Sequence, residues 1–88
     1  MADPILVIHE KDNVAVALRD IEAGEEIRFG NGPSITALES IPASHKIALR
    51  DLAQGEKVIK YGEIVGTTTM PVKKGSWVHG HNMGAADG

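Results

Sequence analysis

The strongest constraint on this chain is that part of it is written twice. Ala17-Leu18-Arg19-Asp20-Ile21-Glu22-Ala23-Gly24-Glu25-Glu26-Ile27 returns as Ala48-Leu49-Arg50-Asp51-Leu52-Ala53-Gln54-Gly55-Glu56-Lys57-Val58. Ala, Leu, Arg, Asp, Gly and Glu recur in place, and the Ile, Leu and Val positions stay aliphatic. Such a chain is built from a supersecondary unit packed against its own copy. The frame of an aliphatic residue, two others, Gly, two others and an aliphatic residue returns in Val72-Lys73-Lys74-Gly75-Ser76-Trp77-Val78. A further copy, Ile41-Pro42-Ala43-Ser44-His45-Lys46-Ile47, carries Ser where Gly is expected.

Each copy reads as strand, turn, strand. Asp20 or Asp51 is placed to cap the free N–H groups of a single helical turn. Gly24 or Gly55 then ends that turn, because glycine tolerates the left-handed conformation. Further short strands are expected over residues 5–9 and 14–18, around a hairpin turn at Glu10-Lys11-Asp12-Asn13. Others fall over residues 35–38, 58–61, 63–65 and 77–81, while Arg28 to Ser34 is loop-like in its Gly, Asn and Pro content. Residues 83–88 carry no core-forming pattern and read as a tail or linker, which leaves 5–82 as the domain. The expected class is mostly β, with short strands and single helical turns.

With 88 residues the chain has room for one domain. Phe29, Tyr61 and Trp77 are its only aromatics, so the core must be aliphatic. A domain of this size buries roughly 60% of its unfolded surface, and a full catalytic cleft would compete with the core for side chains. Composition therefore favours a module or subunit over a complete enzyme. The absence of cysteine excludes disulfides and thiolate metal sites and fits a cytoplasmic location. Net charge is −3 and the basic residues are scattered, which argues against nucleic acid as a partner. No signal peptide and no apolar run of membrane-spanning length is expected.

Chemistry centres on four histidines. His79-Gly80-His81 sits at the end of an expected strand, where residues two apart share a face. Their imidazoles could converge on one metal ion or one anionic substrate, with Asn82 adding an amide; simple exposure is the alternative. His9 precedes Asp12-Asn13 and is either a strand-end residue or part of a polar cluster. His45 opens a strand beside Lys46. No nucleophile motif or phosphate loop is present.

At these residues a resemblance becomes visible. The repeated ALRD-x3-GE, the string His45-Lys46-Ile47-Ala48-Leu49-Arg50-Asp51-Leu52, the string Val58-Ile59-Lys60-Tyr61-Gly62-Glu63-Ile64-Val65-Gly66 and the ending Trp77-Val78-His79-Gly80-His81-Asn82 resemble the SAF domain of altronate and galactarate dehydratases. The opening Ile8-His9-Glu10-Lys11-Asp12-Asn13-Val14 looks most like the altronate type. Ser44 stands where the family usually has Gly, and Gly80 where it often has a bulkier residue. The resemblance implies a β-clip fold and a hydro-lyase that removes water from a sugar acid to give a 2-keto-3-deoxy acid. It implies a divalent metal, commonly iron, in the complete enzyme, with none bound tightly by this chain alone. It also implies a large catalytic dehydratase subunit or domain as partner, with homo-oligomers allowed. The chain is then a separate small subunit or an excised domain. Its expected site residues are His79, His81 and Asn82 for catalysis and His79 and His81 for the metal. His9, Asp12, Asn13, His45 and Lys46 are expected to bind substrate. The small subunit of a sulfolactate sulfo-lyase and a SAF module without chemistry are the competing readings.

Overall fold

The computed structural model describes residues 3–30 and 34–85, and they are all β. Nine short strands occur in chain order: β1 (Ile5–Leu6), β2 (Val14–Ala17), β3 (Glu26–Ile27), β4 (Ile35–Thr36), β5 (Lys46–Ala48), β6 (Lys57–Lys60), β7 (Glu63–Thr68), β8 (Trp77–Val78) and β9 (Met83–Ala85). A four-stranded antiparallel sheet runs in the order β1-β2-β5-β8. The hairpin β3-β4 and the sheet β6-β7-β9 complete the fold. Strand pairing continues past residue 82, because β9 pairs with β7 through Ala85 opposite Gly66; residues 86–88 lie outside the described residues.

The expected helical turns are instead β-turns. Glu25 N–H donates to the Glu22 carbonyl and Glu56 N–H to the Ala53 carbonyl, and the chain then leaves as a strand. The third residue of each turn has positive φ: 87° at Gly24, 81° at Gly55, 90° at Gly75 and 73° at Ser44. That is the signature of a turn that reverses the chain, whereas a helix would need negative φ there. The pattern is the same in all four copies, so Ser44 adopts the glycine-like conformation despite its Cβ.

The repeated motif now has a physical account. Glu25 accepts from the backbone N–H of Glu22 and Glu56 from that of Ala53, each within its own turn. Arg19 and Arg50 pair with those glutamates. Asp20 caps not its own turn but the neighbouring one, accepting from Ala43 N–H at 2.8 Å, and Asp51 does the same for Lys74 N–H at 2.8 Å. Antiparallel bridges Ile21–Ile41 and Leu52–Val72 hold each pair of turns side by side.

The two copies form two aliphatic clusters on opposite faces of the four-stranded sheet. Ala15 and Ile47 face the cluster of Ile5, Ile21, Ile27, Ile35 and Ile41, while Val14, Ala48 and Val78 face Leu52, Val58 and Val72. The alternation follows from the period of two along a strand. The aliphatic core matches what the composition demands.

Candidate functional site

Antiparallel pairing of β5 with β8 sets Lys46 opposite Val78 and Ile47 opposite Trp77. Continuing that register brings His45 beside His79. Their ring centroids are 4.6 Å apart. The Trp77 ring lies 5.4 Å from His79, stacked within 10° of parallel, and 5.0 Å from His81. The Trp77 indole Nε1–H donates to His45 Nδ1 at 3.1 Å. Three of the four histidines thus gather on one tryptophan at one edge of the sheet.

The arrangement differs in origin from the strand-face expectation. β8 ends at Val78, and His79-Gly80-His81 belongs to a tight turn. Asn82 N–H and Met83 N–H both donate to the His79 carbonyl, at 3.1 and 3.0 Å. Trp77 and the cross-strand register, not the alternation of one strand, bring the imidazoles together. Both His79 and His81 are exposed; His45 and Lys46 are half-buried.

Asn82 makes that turn. Its side chain is buried, accepts from His79 N–H at 2.9 Å and donates to the Trp77 carbonyl at 2.8 Å. It positions the histidines and does not face solvent beside them. Charge in the cluster is unfavourable for further protons. Partial desolvation, together with His45, Lys46 and His81, holds the His79 imidazole below its usual range, so it is neutral at neutral pH. Burial, aided by the nearby ammonium of Lys60, pushes Lys46 down.

His9, Asp12 and Asn13 form a second group. His9 shares none of the ring contacts of the first; its ring packs on Gly62, where a Cβ would meet His9 Cδ2 at 3.0 Å. Its Nδ1 accepts from Lys11 N–H at 3.1 Å. Asp12 Oδ1 accepts from Gly62 N–H at 2.7 Å, and Oδ2 from the N–H groups of Ile8 and His9. Burial raises this carboxyl, but backbone donors at Gly62, His9, Ile8 and Tyr61 outweigh it and hold the group below its ordinary range. Tyr61 (φ 56°) and Gly62 (φ 78°) form the two-residue β6-β7 turn that Asp12 braces. Asn13 is buried and clamps β6, with Oδ1 accepting from Ile59 N–H at 2.7 Å and Nδ2 donating to the Lys57 carbonyl at 2.8 Å. In this chain Asp12 and Asn13 are therefore committed to the backbone. Trp77 is the residue that sequence reasoning missed; its place two residues before His79 was the available signal.

Among the described residues no three His, Cys, Asp or Glu side chains come together as a metal-holding group. His79 and His81 can offer at most two imidazoles, so these residues do not by themselves fit the metal of a complete dehydratase. Two shallow clefts, one against Leu18 and Phe29 and the other between Asp20 and Pro42, contain none of the candidate residues. The imidazole group is an open surface, suited to completing a cleft supplied from elsewhere.

The family match places this duplicated, all-β module in the SAF class. The match to the altronate/galactarate dehydratase SAF domain spans residues 3–86, and the chain belongs to that family. It is 43% identical over 75 residues to altronate dehydratase of Escherichia coli, an alignment covering 85% of this chain but 15% of that protein. Galactarate dehydratase (L-threo-forming) of the same organism is 35% identical over 71 residues, covering 81% of this chain and 13% of that enzyme. The (2R)-sulfolactate sulfo-lyase subunit alpha of Chromohalobacter salexigens is 33% identical over 84 residues, covering 88% of this chain and 89% of that subunit. The chain thus spans about 15% of the length of the dehydratases it matches and most of the length of the sulfo-lyase subunit. Among the described residues no helix is long and apolar enough to cross a membrane.

Proposed function

We propose that this chain is the SAF module of an altronate dehydratase-like hydro-lyase, acting with a larger catalytic subunit or domain in the cytoplasm. The observation that carries the reading is the group of half-buried His45 and exposed His79 and His81 on Trp77, beside Lys46, in a chain of this family. The reaction removes the proton next to the carboxylate of a sugar acid and expels the 3-hydroxyl as water; the resulting enol becomes a 2-keto-3-deoxy acid. The single lone pair of neutral His79 serves either to accept a proton or to bind a metal, not both at once, and the positive charge of Lys46 suits holding the carboxylate. A divalent metal, iron by family resemblance, belongs to the complete enzyme, with the partner supplying carboxylates or water beyond His79 and His81. The complete enzyme is open to further oligomerisation through that partner.

The test is reconstitution. The chain alone, given altronate, galactarate and ferrous iron, should form no 2-keto-3-deoxy acid, and addition of the large dehydratase partner should start turnover. Turnover by the isolated chain would refute its role as a partial enzyme. Sulfolactate belongs in the same assay, because the match to the sulfo-lyase subunit runs over nearly that subunit's whole length. Sulfite release without dehydration would decide for the second reading.

A further inference from the structure

We propose that Trp77 is a positioning residue that fixes the proton of His45 on Nε2, so that His45 meets an anionic ligand as a hydrogen-bond donor. An indole N–H can only donate. Its contact with His45 Nδ1 therefore requires a lone pair there, and in a neutral imidazole the proton must then sit on Nε2. The backbone holds His45 from both sides: its N–H donates to the Pro42 carbonyl at 3.1 Å and its carbonyl accepts from Ala17 N–H at 2.8 Å. The ring itself lies between Trp77 at 5.6 Å and His79 at 4.6 Å, centroid to centroid, which opposes its turning over to exchange one nitrogen for the other.

The consequence is a division of roles among three adjacent imidazoles. A nitrogen that carries a proton has no lone pair for a metal or for a proton from carbon. His45 is thereby removed from the ligand and base candidates and assigned to an oxyanion, either the carboxylate or a hydroxyl of a sugar acid. His79 and His81 keep their accepting nitrogens. Trp77 makes face contact with His79 and has no donor aimed at it, so it locks one imidazole and only flanks the others. The identity of the anion rests on the function proposed above; the protonation state of His45 does not.

Nitrogen-15 NMR of the chain decides the matter at about pH 8.5, well above the usual histidine range of about 6.5. His45 should show a protonated Nε2 and an unprotonated Nδ1, with a coupling across the hydrogen bond to the Trp77 indole proton. A proton on Nδ1, or an even mixture of the two forms, would overturn the proposal without any variant. Trp77→Phe keeps an aromatic ring but removes the donor, and should release His45 into exchange between both forms. The reconstituted complex gives the second arm. Gln places an amide N–H near the position of Nε2, so His45→Gln should exceed His45→Ala in kcat/KM by about tenfold or more, the usual value of a donor facing a charged group. Equal loss in the two variants would refute the donor role. A complex that turns over no sugar acid would count against the proposed function and leave the NMR result to stand by itself.

Discussion

The four repeated turns offer one backbone position in four settings, and substitutions there should rank by local geometry. At Gly24 and Gly55 a Cβ would meet nothing within 4 Å, so the cost of Gly→Ala is the positive φ alone. A left-handed L-residue costs about 1–2 kcal/mol, and the stiffer unfolded chain returns roughly 0.4–1 kcal/mol, leaving a net loss of up to about 1.5 kcal/mol. At Gly75 a Cβ would stand 2.1 Å from the Thr36 carbonyl oxygen, too close for any atom pair. The backbone must then move, straining the bonds of Gly75 N–H to the Ala48 carbonyl and of Leu38 N–H to the Gly75 carbonyl. Overpacking adds about 1–3 kcal/mol, for a total of about 1–4.5 kcal/mol. That is a large part of the roughly 4–13 kcal/mol expected for a domain of this length. Ser44→Gly runs the other way and should stabilise by up to about 1 kcal/mol, because it relieves φ at 73°. Urea unfolding with a shared m-value measures all four. Equal losses at Gly24, Gly55 and Gly75, or a clear destabilisation by Ser44→Gly, would refute the account.

Other expectations follow from the site. Asn13→Ala removes both side-chain bonds to β6 and leaves a backbone N–H and carbonyl unpaired, so unfolding experiments should show a loss of about 2–4 kcal/mol. Asp12 has a folded pKa below its unfolded one, so its contribution is present above the unfolded value and is lost as pH falls through the folded value. Stability of the native chain should therefore drop below about pH 4, and Asp12→Asn should be less stable at pH 7 but flatter across that acid range. The double variant His79→Ala with His81→Ala should unfold within about 0.5 kcal/mol of the native chain, since both rings are exposed. The reconstituted complex should lose most of its dehydratase activity with that variant; full activity would remove the histidines from the site.

Much of the fold is legible in the sequence because the repeat is local. The aliphatic positions and the turn glycines follow from short-range chemistry. The cross-capping by Asp20 and Asp51 is not legible, because an aspartate before a turn looks the same whether it caps that turn or a neighbour. The helical reading fails for a related reason: one turn of helix and one β-turn share a spacing and differ only in the dihedrals of the two central residues. In the site, the spacing pointed to His79 and His81, but the structure sets them in a turn beside Trp77 and not on one strand face. The pairing of β5 with β8 is a long-range fact, and it recruits His45 and excludes His9.

That pairing also explains why the site sits where it does. β2, β5 and β8 are successive copies of one strand, each followed or preceded by the same turn. In the first copy, Val14-Ala15-Val16-Ala17, the inward positions are all apolar and the strand is enclosed between β1 and β5. The second begins with His45-Lys46, and the third ends with Trp77-Val78 before His79. Antiparallel order sets the start of one beside the end of the other, so departures from the aliphatic pattern that are far apart in sequence meet at a single edge. Among the described residues β8 is the last strand of this sheet, and the side chains of Glu39 and Asn82 pair with the Trp77 N–H and carbonyl. The duplication thus supplies a rigid frame twice over, and its last copy carries polar side chains at the end of the sheet, outside both core clusters. A larger partner that covers this edge would bury the imidazoles where their proton-accepting and proton-donating nitrogens could act, which is why the histidine and tryptophan variants are best measured in the complex as well as in the free chain.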